Sequence, residues 1–196
     1  MELYEAIRRR RMVRNYLAEP VDRRVIERIV GAARSGPSAG FAQGQYMVVV
    51  TDEEMRARIA ELADEPLYVA DGMAPWISVA PVHVVVCTSE EDYHRRYREP
   101  DKLQDDGTEI DWPVPYWFVD AGATMMALLL AAVSEGLGAG FFGVHRLDGL
   151  KELLEIPAEI QPIGVVTIGH PAGTQPEGSA RRGWKPLSDV VHWERW

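Results

Sequence analysis

Apolar positions along this chain fall into two rhythms, and the boundaries between them place most of the elements. Leu3 and Ile7 lie four apart and share one face of a short first helix. After Asp22, a residue suited to an N-cap, Val25, Ile26, Ile29, Val30 and Ala33 recur at helical spacing, and Gly36-Pro37 stops the helix. Tyr46 to Val50 is a short continuous apolar run, which predicts a buried strand. Asp52 opens a helix reaching about Leu62, and Val82 to Cys87 is a second buried strand. From Phe118 to Val133 the chain is at its most apolar, with only Gly122 and Thr124 interrupting it beyond Ala121. That run is short for a membrane span and apolar all round, so it predicts a helix covered on every side. Gly136-Leu137-Gly138 ends it. A strand through Phe141 and Phe142, a short helix from Asp148 to Leu154 and a last strand from Ile163 to Ile168 follow.

Two stretches follow neither rhythm. Residues 89–113 hold nine acids and four Lys/Arg, with Tyr93, Tyr97 and Trp112 among them. A polar excursion this long predicts a lid or loop insertion over 88–115 that carries partial helix, the alternative being an inert surface insertion. The tail from His170 to Trp196 has three prolines and three glycines, and ends in Val190-Val191-His192-Trp193-Glu194-Arg195-Trp196. Those last residues are too apolar for a free tail. With the all-round apolar helix, they predict a homodimer in which a C-terminal arm, 170–196, crosses onto the partner.

Length and composition narrow the class. A chain of 196 residues, 46% hydrophobic and 26% charged, fits a single domain over 1–196 with a real core. A net charge of −9 argues against a nucleic-acid partner. The single Cys87 allows no internal disulfide, and five histidines without an H-x-x-x-H pair give no reason to expect a metal. The first residues lack the apolar core of an export signal, so the cytoplasm is the expected compartment and no membrane partner is expected. Gly36-Pro37-Ser38-Ala39-Gly40 spells G-x-S-x-G, but helix precedes it and strand follows, the reverse of a nucleophile elbow. Gly136-Leu137-Gly138-Ala139-Gly140 follows a helix and lacks the last spacing of a dinucleotide fingerprint.

Charge is unevenly placed. Residues 1–34 hold nine Arg against five Asp+Glu in a chain that is otherwise acidic, and Arg8, Arg9, Arg10, Arg11 and Arg14 fall within seven positions. Such a knot suggests a local anion, the bland alternative being a solvated basic helix. On a helix Arg10 and Arg14 would share a face with Arg11 close by, and guanidinium groups bind phosphate through paired, charge-assisted hydrogen bonds. The small-residue turn from Gly36 to Gln43 would let backbone N–H groups approach a ligand.

Arg10-Arg11-Met12-Val13-Arg14-Asn15-Tyr16, followed by Pro37-Ser38-Ala39-Gly40-Phe41-Ala42-Gln43, resembles the nitroreductase family of FMN-dependent oxidoreductases. The usual family form is R-R-S-x-R-x-F and then P-S-x-x-N-x-Q. The likeness continues through Gly136-Leu137-Gly138, Gly169-His170-Pro171 and Lys185-Pro186-Leu187 with Val190-Val191-His192-Trp193. It implies an α+β fold, a mixed central sheet flanked by helices, in an intertwined homodimer with exchanged C-terminal arms and FMN at each of two interfacial sites. Arg10, Arg14 and Arg11 would hold the phosphate, with Met12 contributing backbone. Pro37, Ser38 and Ala39 would touch the isoalloxazine from the partner subunit, in a turn completed by Phe41 and Gln43. Phe142, Gly143 and Val144 would pass along the flavin face and offer an N–H to N5. Arg182 and Lys185 would complete the phosphate cradle from the arm, Trp112 would face substrate, and His145 would do so too, the alternative being a surface histidine.

The implied activity is ping-pong hydride transfer from NAD(P)H through flavin N5 to a small planar acceptor such as a nitroaromatic or quinone, with the hydride chemistry supplied by the cofactor. Four places depart from the family form. Met12 stands for serine, Phe41 for asparagine, Gly44-Gln45 for Pro-Trp and Trp184 for arginine. Two rival readings stay open: a specialised flavin dehydrogenase or dehalogenase of one metabolite, and a flavin- or deazaflavin-binding protein without turnover.

Overall fold

A valine-rich strand lies at the middle of the fold. The structure, a computed structural model, describes residues 1–144, 149–173 and 179–196. Its strands are β1 (Gln45–Val50), β2 (Val82–Thr88), β3 (Gly138–Gly143) and β4 (Gln161–Gly169). They form one sheet in the order β1-β2-β4-β3, each neighbouring pair antiparallel. The helices are α1 (Leu3–Arg9), α2 (Arg23–Ala33), α3 (Glu53–Leu62), α4 (Glu65–Ala70), α5 (Glu90–Tyr97), α6 (Tyr116–Ser134) and α7 (Leu150–Leu153). Every residue of β2 is buried, because successive side chains point to opposite faces and both faces are covered. Val82, Val84 and Val86 pack with Val166 and Ile168 against α2 and α6. Val85, Cys87 and Val165 pack on the other side with Ile59 and Ala60 of α3, Trp76, Ile77 and Leu150.

Local signals start and stop the helices where the sequence places them. Asp22 accepts the Arg24 N–H at 2.7 Å, and Asp52 accepts the Met55 N–H at 2.9 Å. After α6, Gly136 takes φ +80, the Gly136 N–H reaches the Val133 carbonyl at 3.0 Å and the Leu137 N–H reaches Ala132 at 2.9 Å. This is a Schellman ending, which requires a residue that tolerates positive φ. The same end is pinned to α2 by two bonds from Arg28 to Glu135, at 2.9 and 2.6 Å.

One expectation is corrected. The first helix stops at Arg9, and Arg10 already has extended backbone with φ −54 and ψ 124, so Arg10 and Arg14 do not share a helical face. Only Ala6 of α1 is buried, while Leu3 and Ile7 are 62% and 48% exposed. Within one chain α6 is covered on one side. Ala121, Leu128, Leu129 and Ala132 are buried against the sheet and α2, but Tyr116, Phe118, Val119 and Met126 remain exposed. By length and apolarity alone α6 could cross a membrane, yet its inner face is seated on a protein core.

Candidate active site

The arginine segment is held as an extra edge of the sheet. Met12 forms a parallel bridge with Ala139 of β3, and the Val13 N–H donates to the Ala139 carbonyl at 2.9 Å. This isolated bridge is one parallel pairing beside a four-stranded sheet that is antiparallel throughout. Val13 and Tyr16 point inward; the Tyr16 hydroxyl donates to the Val13 carbonyl at 3.0 Å and shares a 2.9 Å bond with Thr167 Oγ1. Burial of that phenol raises its pKa above the ordinary value, so it stays a neutral donor. Around Val13 and Tyr16, Arg10 is partly buried and Arg14 exposed.

The two guanidinium groups differ in setting. Arg10 is half-buried, and its Nη1 is buried with no hydrogen-bond partner among the described residues. A buried guanidinium nitrogen in that state favours an anionic acceptor, and the phosphate of FMN fits it. Arg14 lies over the Trp76 ring at 5.7 Å, and Trp76 meets Phe142 edge-on at 5.7 Å, so the arginine segment and the end of β3 share one aromatic contact. Arg11 folds back instead, donating from Nη1 to the carbonyls of Arg8 and Arg10 at 2.5 and 2.9 Å. Phe142, Gly143 and Val144 are partly exposed at the end of β3, whose outer edge has no described bridge beyond Ala139. His145 lies outside the described residues.

The amides of the Pro37–Gln43 turn are mostly bonded within the turn itself. Phe41 N–H bonds to the Ser38 carbonyl at 2.8 Å, Ala42 N–H to Ala39 at 3.1 Å and Gln43 N–H to Ser38 Oγ at 2.7 Å. The Ala39 N–H is taken by the Asp120 carboxylate at 2.8 Å. Those four amides are thus not open to a ligand, contrary to what small residues alone suggest. Gly40, Phe41 and Gln43 all have positive φ, and Phe41 is 73% exposed, so the turn presents an aromatic ring outward on strained backbone. The departure at Gly44 has a steric reason: a Cβ there would stand 2.7 Å from the Tyr93 ring and 2.9 Å from the Ser89 carbonyl.

Within the polar excursion, α5 and the loop after it are bound together. Glu109 accepts from Trp112 Nε1 at 2.7 Å and from Arg98 Nε at 3.0 Å, and meets His94 Nδ1 at 2.5 Å. Burial lowers the His94 pKa, but its bonds to Glu109 and Glu90 outweigh this and raise it overall. The Trp112 ring packs on Tyr97, with centroids 4.6 Å apart, and against Tyr93 and Trp117. Trp112 therefore anchors the loop and leaves only part of its ring in solvent.

Strand order separates the two halves of the expected site. The arginine segment and β3 form one edge of the sheet, and the Pro37–Gln43 turn leads into β1 at the other. Three strand spacings, about 14 Å, lie between those edges. Within one chain the start of the arm pairs with the end of the arginine segment: Tyr16 bridges Pro171, and the Leu17 and Ala172 N–H groups donate to the His170 and Asn15 carbonyls at 2.9 Å. No bond from residues 179–196 to either half is described. Arg182 and Lys185 are exposed, as are Trp184, Trp193 and Trp196 at 95%, 84% and 101%. The backbone bonds described for Asp189, Val190, Val191 and Arg195 all close on near neighbours. Asp120, Tyr93 and Trp76 are the contributors that sequence reasoning missed. Asp120 carried a signal, as the one charge inside the most apolar helix.

The Nitroreductase family profile matches residues 7–170. The chain belongs to the nitroreductase family. It is 33% identical over 198 residues to an FMN reductase (NAD(P)H) of Bacillus subtilis, covering 98% of this chain and 74% of that protein. An NADPH-dependent oxidoreductase of Staphylococcus aureus is 24% identical, covering 97% of this chain and 72% of its own length. The solved nitroreductase A of Vibrio parahaemolyticus superposes with a TM-score of 0.75 at 27% identity, covering 100% of this chain and 77% of that one. The fold is the family's α+β fold, and the expected class, an FMN-dependent oxidoreductase, follows from membership. The profile match ends at residue 170, where the arm begins, while the relatives and the solved structure cover nearly the whole chain.

Proposed function

We propose that the protein oxidises NAD(P)H by ping-pong exchange at a flavin site that two copies of the chain build together, with a planar nitroaromatic or quinone as second substrate. The observation that carries this reading is the placement of the arginine segment and the Pro37–Gln43 turn at opposite edges of one sheet. One cofactor held by both needs a second copy, whose turn approaches the first copy's β3. A flavin held there by Arg10, Arg14 and the β3 edge would supply the hydride chemistry between NAD(P)H and the acceptor.

Each chain feature then has a task. Arg10 and Arg14 grip the phosphate, Arg10 through its unpartnered Nη1, with Met12 backbone beside them. The open edge of β3 around Phe142, Gly143 and Val144 offers backbone N–H groups to the flavin ring. Pro37, Ser38 and Ala39 of the second copy cover the isoalloxazine, Phe41 supplies an apolar wall, and Gln43 closes the turn. The exposed face of α6 and the exposed arm bury each other's apolar surface across the dimer, and Arg182 and Lys185 arrive at the phosphate with the arm. Trp112 contributes the free part of its ring to the acceptor's side. A cytoplasmic setting suits NAD(P)H as donor.

The test begins with colour. Purified protein should be yellow, and its released chromophore should run with an FMN standard and apart from FAD. It should then oxidise NADH or NADPH steadily with menadione as acceptor. A colourless protein that takes up neither flavin refutes the reading.

A further inference from the structure

The Pro37–Gln43 turn is held from behind by a group that the reading above does not use. Asp120 sits in the first turns of α6 and is 4% exposed. One of its oxygens accepts both the Ala39 N–H, at 2.8 Å, and the Tyr93 O–H, at 2.7 Å. The Tyr93 hydroxyl in turn accepts from Gln45 Nε2 and lies beside the Ser38 hydroxyl. α5 supports the same turn twice more. Arg96 Nε donates to the Gly40 carbonyl at 2.9 Å, and the Tyr97 ring lies so close that a Cβ on Gly40 would stand 2.6 Å from it.

A carboxylate in an apolar helix is costly unless it is fully bonded, and here both donors come from the turn and its support. We propose that Asp120 is a positioning residue for the flavin: through the Ala39 amide it fixes the turn, and as a fixed negative charge it favours the oxidised cofactor. This rests on the reading that Ala39 touches the isoalloxazine. One hydrogen bond then separates Asp120 from the residue in contact, in surroundings where charge is poorly screened. A negative charge placed there opposes the addition of electrons to the ring. Tyr93 shares the positioning but carries no charge at neutral pH, because burial and the neighbouring Asp120 raise its pKa.

Three variants of the full-length protein separate the two effects. Asp120→Asn keeps an acceptor for both donors and removes the charge. Its ratio of affinities for reduced over oxidised FMN should rise about tenfold, which is roughly 30 mV in the two-electron midpoint potential. Tyr93→Phe keeps the charge and removes one donor, so the potential should hold while the amides of Ala39–Gln43 exchange faster with solvent. Asp120→Ala should show both changes and weaken FMN binding about tenfold. An unmoved potential in Asp120→Asn overturns the electrostatic role. Unmoved turn amides in Asp120→Ala, or in Tyr93→Phe should the alanine variant not fold, overturn the positioning role. Amide exchange needs no bound flavin. A wild-type protein that binds no FMN would thus refute the proposed function and the electrostatic role, while exchange still decides the positioning.

Discussion

Gly140→Ala should loosen the arginine segment and the cofactor together. A Cβ on Gly140 would stand 2.4 Å from the Val13 carbonyl oxygen, 2.8 Å from Thr167 Oγ1 and 3.1 Å from the Tyr16 hydroxyl. The nearest of these is backbone, so no rotamer change relieves the clash, and Val13 must move away from β3. That motion stretches the Val13 N–H bond to Ala139, now 2.9 Å, and the Tyr16 bond to Val13, now 3.0 Å. A typical bond contributes about 1 kcal/mol, and a buried group left unpaired costs about 1–3 kcal/mol, so the total should be about 2–4 kcal/mol. For a chain of this size that lowers Tm by roughly 4–16 °C. Arg10 and Arg14 flank the displaced residue, so FMN affinity should fall about tenfold or more, the equivalent of ~1.4 kcal/mol. Calorimetry and a flavin fluorescence titration read the two effects. Gly31→Ala is the control: its methyl meets no atom within 4 Å on α2, and it should add about 0.5–1 kcal/mol of stability. A Gly140→Ala protein that melts with wild type and binds FMN equally well would show that β3 does not hold the arginines.

Other outcomes follow from single features. Arg10→Ala and Arg14→Ala should each weaken FMN binding by roughly one to two decades, from ~1.5–3 kcal/mol per charge-assisted contact, and the double variant should be worse. Arg8→Ala, on α1 and off the extended segment, should do much less; equal losses in an FMN titration at all three would point to bulk charge. Burial lowers the His83 pKa to about 4 from 6.5, so the unfolded chain takes up that proton first as pH falls. Its contribution is therefore intact above about pH 6.5 and lost on the way down to about pH 4, where it amounts to ~3 kcal/mol. Urea unfolding of His83→Gln over that range should show a correspondingly weaker pH dependence, and an unchanged slope would contradict this. A chain ending at Pro171 should lose both the dimer, by sedimentation, and its yellow colour. Burying Val190, Val191, Trp193 and Trp196 is worth on the order of 6–10 kcal/mol. A truncated protein that stays dimeric and yellow would make the arm dispensable.

The sheet and the helices packed on it were legible because burial stamps a period on the sequence. β2 reads as six apolar-leaning positions in a row because both its faces are covered, and Asp22 and Asp52 announce helix starts through their side chains. The arginine segment misled because a run of arginines carries no period that tells a helical turn from extended backbone, and α1 ends at Arg9. Nothing local decides between them; the bridge to Ala139 does, and its partner lies more than a hundred residues away. The Schellman ending of α6 was legible from Gly136, but Tyr93, which lies in a charged stretch, gave no sign of reaching Asp120. That contact depends on how α5 and α6 cross. The four departures from the family form divide in the same way. Gly44 is explained by its crowded neighbours. Nothing in the structure explains Met12, Phe41 or Trp184.

The separation of β1 from β3 by two other strands has a genetic corollary. If each site takes its arginines from one chain and its turn from the other, a chain defective in Arg10 and a chain defective in the turn are not equivalent failures. Either alone yields dimers with two spoiled sites. Mixed and reassembled, they yield hybrid dimers in which both defects fall in one site and the other is wholly intact. Two inactive proteins would together recover up to half the activity per hybrid, and a site contained within one chain could never do so.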